Sequence, residues 1–302
     1  MKSTLLALLL ALPLGAVATT SMPAAAAIGG RAPTYTTKEL SVMPNAAALR
    51  AWAWSPGLDD GYVPQAVARA GERFFVITYQ SRDESQPLGE GRVFELDATG
   101  AVCGQFALPD DIQHPGGLAI EGNNGYVANF GTLLRLDLER SLATGRAMVT
   151  GRRAIERAMG PSFVTVHEGQ LWFGRFAREG AEPPRLYAVD VAKIFLPHRA
   201  PPLRPTDASR EFAIPLLVQG VAFDRAGQLW LSASVQKEGW LYRYDPVTGR
   251  ELARHAAPPG IEGLVAGDTD RLWSVGECGT RRWLKSAAFY PVVFEIDLAR
   301  LR

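Results

Sequence analysis

Cysteine is scarce in this chain: Cys103 and Cys278 are the two in 302 residues. No CxxC pair or cysteine–histidine cluster occurs, which excludes the thiolate zinc sites and disulfide scaffolds that such spacings signal. The four histidines, His114, His167, His198 and His255, form no metal-binding spacing either. Excess charge of one sign is also absent, with 32 basic against 31 acidic residues. Lys2 is the single charged residue before position 28, so the remainder carries equal numbers of each sign. That balance excludes the basic footprint of a nucleic-acid binder and a polybasic membrane patch. Beyond residue 27, no apolar run approaches the ~20 residues of a transmembrane helix.

The first 27 residues have a different character. Lys2 is followed by the apolar run Leu5–Leu14, too short to span a bilayer, and then by small residues. This pattern predicts a secretory signal peptide, cleaved after Ala18 or within Ala24–Ala27. A retained membrane anchor is the alternative. Residues 28–302 are then expected to form one domain, monomeric and periplasmic or extracellular. In such a compartment a Cys103–Cys278 disulfide is an open question.

The main signal is a phrase repeated five times. Each copy opens with a short strand: Gln65–Ala68, Gly116–Ile120, Ser162–Val166, Gln219–Phe223 and Glu262–Ala266. A polar turn leads to a second strand: Phe74–Ile77, Tyr126–Ala128, Leu171–Phe173, Leu229–Leu231 and Leu272–Ser274. A variable loop then reaches a third strand that ends in Asp97, Asp137, Asp190, Asp245 or Asp297. These segments are rich in β-branched and aromatic residues, as strands are. The copies begin 51, 46, 57 and 43 residues apart, a blade-sized period. The pattern predicts an all-β chain, a β-propeller of five blades; six blades is the alternative. Ala101–Leu108 and Arg250–Ala256 read as fourth strands, and 140–159 as a fourth strand with a short helix. The last copy has no room for a fourth strand, so a segment within 34–54 is expected to supply it and close the ring. The proline-rich stretch 195–210 reads as a surface loop of the third blade.

This geometry assigns roles by column. Trp172, Trp230 and Trp273 share one repeat position and read as blade packing. The five terminal aspartates read as turn caps that bond backbone amides. Starts of first strands and ends of second strands converge on one face of a propeller, at the mouth of its central channel. They gather Gln65, Tyr79, Asn129, Phe130, Arg175, Gln219, Glu262 and Glu277, with Arg281 and Arg282 from the loop that follows. Glu262 is expected to pair with Arg175, Arg281 or Arg282. Glu277 is expected to sit solvated in a loop, and Ser162 lacks a histidine partner for nucleophilic chemistry.

The stretch from Pro115 to Asp137, PGGLAI…GYVANF…LLRLD, resembles the NHL-repeat and gluconolactonase-like propeller superfamily. The likeness spans roughly residues 62–297 and implies the fold. In its lactonase branch it also implies a divalent metal such as Ca²⁺, held by Glu, Asn and Asp. Glu262 and Asn129 match two of those positions. The second-strand ends that would carry the aspartate are Thr78, Asn129, Arg175, Ala233 and Gly276, so the third ligand is missing. The resulting expectation is a non-catalytic propeller, without cofactor, that binds a small molecule or an extracytoplasmic protein at its mouth. The alternatives are a lactonase-type hydrolase using Glu262 and Asn129, and a cell-envelope interaction module that engages partners through 195–210.

Overall fold

Every copy of the phrase folds into a four-stranded antiparallel sheet, and five such sheets make up the molecule. The computed structural model describes residues 27–196 and 200–302; the predicted signal segment up to residue 26 lies outside the described residues. Blade one runs through Tyr62–Ala70, Arg73–Gln80, Gly91–Leu96 and Val102–Ala107. Blade two comprises Gly117–Glu121, Asn124–Asn129, Thr132–Asp137 and Met148–Ala154. Blade three comprises Phe163–His167, Gln170–Gly174, Arg185–Asp190 and Arg210–Ala213. Blade four comprises Val218–Phe223, Leu229–Val235, Glu238–Tyr244 and Glu251–Ala257. Blade five has Ile261–Ala266, Arg271–Gly276 and Val292–Asp297, and its outer strand is Leu49–Trp54. The inner strands touch their neighbours in ring order, with blade five returning to blade one.

Small residues let those inner strands approach. A side chain at Gly263 would put its Cβ 2.4 Å from Ala66 Cβ, and one at Gly220 would put it 2.6 Å from Gly263 Cα. Real Cβ atoms do not tolerate such distances, so the glycine after Gln219 and after Glu262 is a steric requirement of the ring. The apolar cores lie between adjacent sheets. Trp172, Trp230 and Trp273 are all buried in them. The terminal aspartates cap as expected: Asp97, Asp137, Asp190, Asp245 and Asp297 accept from the amides of Thr99, Arg140, Ala192, Val247 and Ala299. In blade two Asp137 thereby caps the short helix Leu138–Thr144, which Gly145 ends in a left-handed turn.

The proline-rich loop is less free than its composition suggests. Leu203 is buried and bridges Ile155 of blade two, and Arg204 pairs with Glu156 at 3.1 Å. Cys103 is exposed on an outer strand and Cys278 is buried, and both are free thiols. The open question of a disulfide is thereby answered in the negative.

The ring closes where Leu49 pairs with Ile296 and Trp54 with Val292. Arg50 of the closing strand and Arg271 both bond the buried Glu295 carboxylate. Next to Arg50, Trp52 packs 4.6 Å from Phe74 of blade one and 5.4 Å from Trp273 of blade five, between ring centroids. One side chain thus joins the two blades at the seam. Trp52→Ala is expected to lower stability by about 3 kcal/mol, read as an earlier urea midpoint, and Trp52→Phe by less than half as much. An unchanged midpoint in the alanine variant would show that the seam does not depend on this ring.

Candidate functional site

Three inner strands are irregular at the same height. Pairing slips between Pro64 and Ala66 in blade one, between Val218 and Gly220 in blade four, and between Ile261 and Leu264 in blade five. The residues released from the ladder are Gln65, Gln219 and the Glu262–Gly263 pair. Such bulges bend a strand and re-aim its side chains, here at the channel mouth. They also leave carbonyls without ladder partners, which need other donors when buried. Buried serines supply them. Ser234 Oγ donates to the Ile261 carbonyl at 2.8 Å, Ser232 Oγ to that of Glu262 at 2.8 Å, and Ser274 Oγ to that of Gly263 at 3.0 Å.

Two carboxyl groups meet in this frame. Glu262 is 1 % exposed, and its Oε1 accepts from Gln219 Nε2 at 3.0 Å. Burial, reinforced by the neighbouring Glu277 charge, holds Glu262 well above the usual carboxylate range. Glu277 is 5 % exposed and accepts from Gln236 Nε2 at 3.0 Å and from Trp283 Nε1 at 2.7 Å, one donor on each oxygen. Burial raises it to about 7; the donors and the Arg282 charge offset part of that effect. Glu277 therefore exchanges its proton near neutral pH.

A recess of about 480 Å³ opens over Glu277. Gln65 of blade one and Gln219 and Gln236 of blade four line it, with Arg282 and Arg178 beside them and Tyr79, His114, Phe176 and Trp283 as aromatic walls. His114 stacks on Tyr79, with ring centroids 4.0 Å apart. Its Nδ1 lies 2.7 Å from the Pro87 carbonyl, which can only accept, so Nδ1 carries the proton and Nε2 is an acceptor. Burial lowers the pKa of His114, which keeps the ring neutral. Arg282 is held by Nη1, which donates to Ser81 Oγ at 2.9 Å and to the Asp83 and Gln86 carbonyls.

Of the residues singled out from sequence, Gln65, Tyr79, Phe130, Gln219, Glu277 and Arg282 lie on this recess. Phe130 stands at its rim, 63 % exposed. Glu262 lies beneath, bonded to Gln219 rather than to Arg175, Arg281 or Arg282, because full burial favours a neutral carboxyl over an ion pair. Glu277 is buried and doubly hydrogen-bonded, not solvated. Its amide bonds the Gly260 carbonyl, which draws the loop inward. Arg175 turns to Glu182, bonding its carbonyl and facing its carboxylate at 3.5 Å. Arg281 donates to the Asp59 carbonyl at 3.1 Å and stacks over Tyr35. Asn129 and Arg281 do not line the recess. Gln236 and Trp283, which hold Glu277, escaped the sequence reading because both sit in loops of variable length, where the repeat offers no alignment.

The lactonase-type metal set does not fit. Glu262 and Asn129 share neither a hydrogen bond nor the recess, and among the described residues no three His, Cys, Asp or Glu side chains converge.

Comparison with known proteins gives a fold-level result. No family model matches the chain, and no curated protein matches it in sequence. Among solved structures, glutaminyl cyclase from Myxococcus xanthus is similar, with 13% identity over 78% of this chain and 90% of that one, and a TM-score of 0.52. Virginiamycin B lyase from Staphylococcus aureus has 14% identity over 76% and 82%, with a TM-score of 0.41. A protein of unknown function from Bacteroides caccae has 12% identity over 79% of each chain, with a TM-score of 0.47. This chain shares the β-propeller fold. The resemblance seen at Pro115–Asp137 thus holds at the level of architecture, with five blades here.

The raised carboxyls make stability depend on pH. In the folded chain Glu277 keeps its proton up to about 7, whereas an ordinary glutamate loses it near 4.5. The folded state therefore binds more protons between those values, and stability falls as pH rises through them. Glu277 alone contributes on the order of 3 kcal/mol below pH 4.5, all of it lost by about pH 8. Urea denaturation across this range is expected to show that decline in the wild type and a flatter one in Glu277→Gln. A wild type that gains stability between pH 5 and 8 would contradict the assignment.

Proposed function

We propose that this chain is an exported β-propeller that binds a small polar molecule in the recess at its top-face channel mouth. One observation carries the reading: three amides from two blades, a carboxyl and two guanidiniums line a single recess with aromatic walls. Its volume of about 480 Å³ suits a small ligand, and few polar groups among aromatic walls is the usual composition of such sites. Crystals soaked with small polar fragments should show them seated against Glu277, Tyr79 and Trp283. Occupancy confined to the opposite-face groove of His167, Trp172 and Phe223 would reject the reading. Export rests on the pattern of Lys2, Leu5–Leu14 and the small residues up to Ala27. Chain recovered from the periplasm or medium should begin after Ala18 or within 25–28; a chain retained with Met1 would count against export.

A second reading adds catalysis, because a carboxyl that titrates near neutrality inside a ligand recess suits general acid–base chemistry. Glu277 would move the proton, and neutral His114 would accept a hydrogen bond from the substrate. A lactone or similar ester is the substrate class to try. Turnover should follow one ionisation near pH 7 and fall by roughly a hundredfold or more in Glu277→Gln. Turnover unaltered by that change would remove Glu277 from the chemistry.

A further inference from the structure

Two guanidiniums line the recess, exposed Arg178 and buried Arg282, and the buried one is a cation that the protein does not neutralise. Arg282 is 9 % exposed. Its Nη1 is engaged by three neutral oxygens of the 81–86 segment. Its Nε is buried without an acceptor, and among the described residues Arg282 forms no ion pair. The nearby carboxyl, Glu277, has both oxygens occupied by Gln236 and Trp283. A buried charge without a partner is costly, and a missing acceptor adds to that cost.

Resting on the reading of the mouth as a small-molecule site, we infer that Arg282 anchors a ligand carboxylate and that the occupant is a small organic acid bearing a hydrogen-bond donor. With Nη1 engaged, the free edge of the guanidinium is Nε with Nη2, the fork that grips a carboxylate through two parallel hydrogen bonds. Trp283 and Tyr79 flank the guanidinium, with ring centroids 4.7 and 6.0 Å from its carbon. Two parallel donors satisfy both oxygens of a carboxylate, whereas a phosphate brings four oxygens to the same two donors. The donor follows from the other side of the recess, where His114 Nε2 is an acceptor. A hydroxyl or amino group next to the carboxylate meets both requirements.

The test is calorimetric titration at about pH 6, where Glu277 keeps its proton, with lactate, lactamide and phosphate as probes. Lactate should bind the wild type roughly tenfold or more tightly than lactamide, and phosphate should bind more weakly than lactate. Arg282→Met should erase the preference for lactate over lactamide. Arg282→Lys, which keeps the charge but loses the fork, should weaken lactate binding yet retain the preference. The wild-type comparison stands even if Arg282→Met disturbs the 81–86 segment. Lactamide binding as tightly as lactate, or phosphate binding more tightly, overturns the carboxylate anchor while the small-molecule reading survives. If none of the probes binds while neutral fragments occupy the recess in crystals, the anchor again fails alone. An empty recess under every condition overturns both.

Discussion

The close approach of five inner strands around one axis is the constraint on which the rest of the molecule depends. At Gly220 and Gly263 the neighbouring backbone leaves no space for a side chain. Near the same positions the pairing of the inner and second strands slips in three blades. The residues released there are Gln65, Gln219 and Glu262. Packing at the centre and polarity at the mouth are consequences of one geometry. The side chains behind the bulges belong to it as well, because a slipped ladder leaves carbonyls that serine hydroxyls meet in blade five and the Gln65 amide meets in blade one.

Charge at the mouth is arranged against the usual habit of pairing opposites. Two carboxyls lie together without a guanidinium in contact, and one guanidinium lies near them without a carboxylate. Burial resolves the first arrangement by protonation: Glu262 stays neutral, and Glu277 lies close to the point of exchange. Protonation cannot resolve the second, because arginine does not give up its charge at any ordinary pH. The asymmetry makes Arg282 the more informative residue, although Glu262 occupies the more conspicuous place in the repeat.

The blade count, the seam and the capping aspartates were legible in the sequence because each recurs at fixed spacing and answers to local chemistry. An aspartate that ends a strand and bonds the next turn is visible without knowledge of the fold. The channel-mouth column was legible for Gln65, Tyr79 and Gln219, since topology alone carries them to one face. It was misleading for Arg175 and Arg281, whose long side chains turn to Glu182 and Asp59 outside the recess. The state of Glu277 was not legible at all. It depends on Gln236 and Trp283, both in loops that no repeat constrains, and on a degree of burial that only the folded ring creates. The bulges were equally hidden, because slipped pairing leaves no mark on composition beyond the glycine that follows in blades four and five.

The seam has a temporal meaning. Leu49 finds its partner at Ile296, so the fifth sheet cannot be completed until about 250 residues after it have been synthesised. Four blades can assemble from contiguous sequence as it emerges, while the strand made first waits as an unpaired edge. Joining segments that far apart carries the largest loop-closure cost in the molecule, and contacts at such separation slow folding. The propeller is therefore a ring that latches last. Between emergence and latching, the fifth sheet lacks its outer strand and presents an open edge, which is the condition under which strands pair with the wrong neighbour.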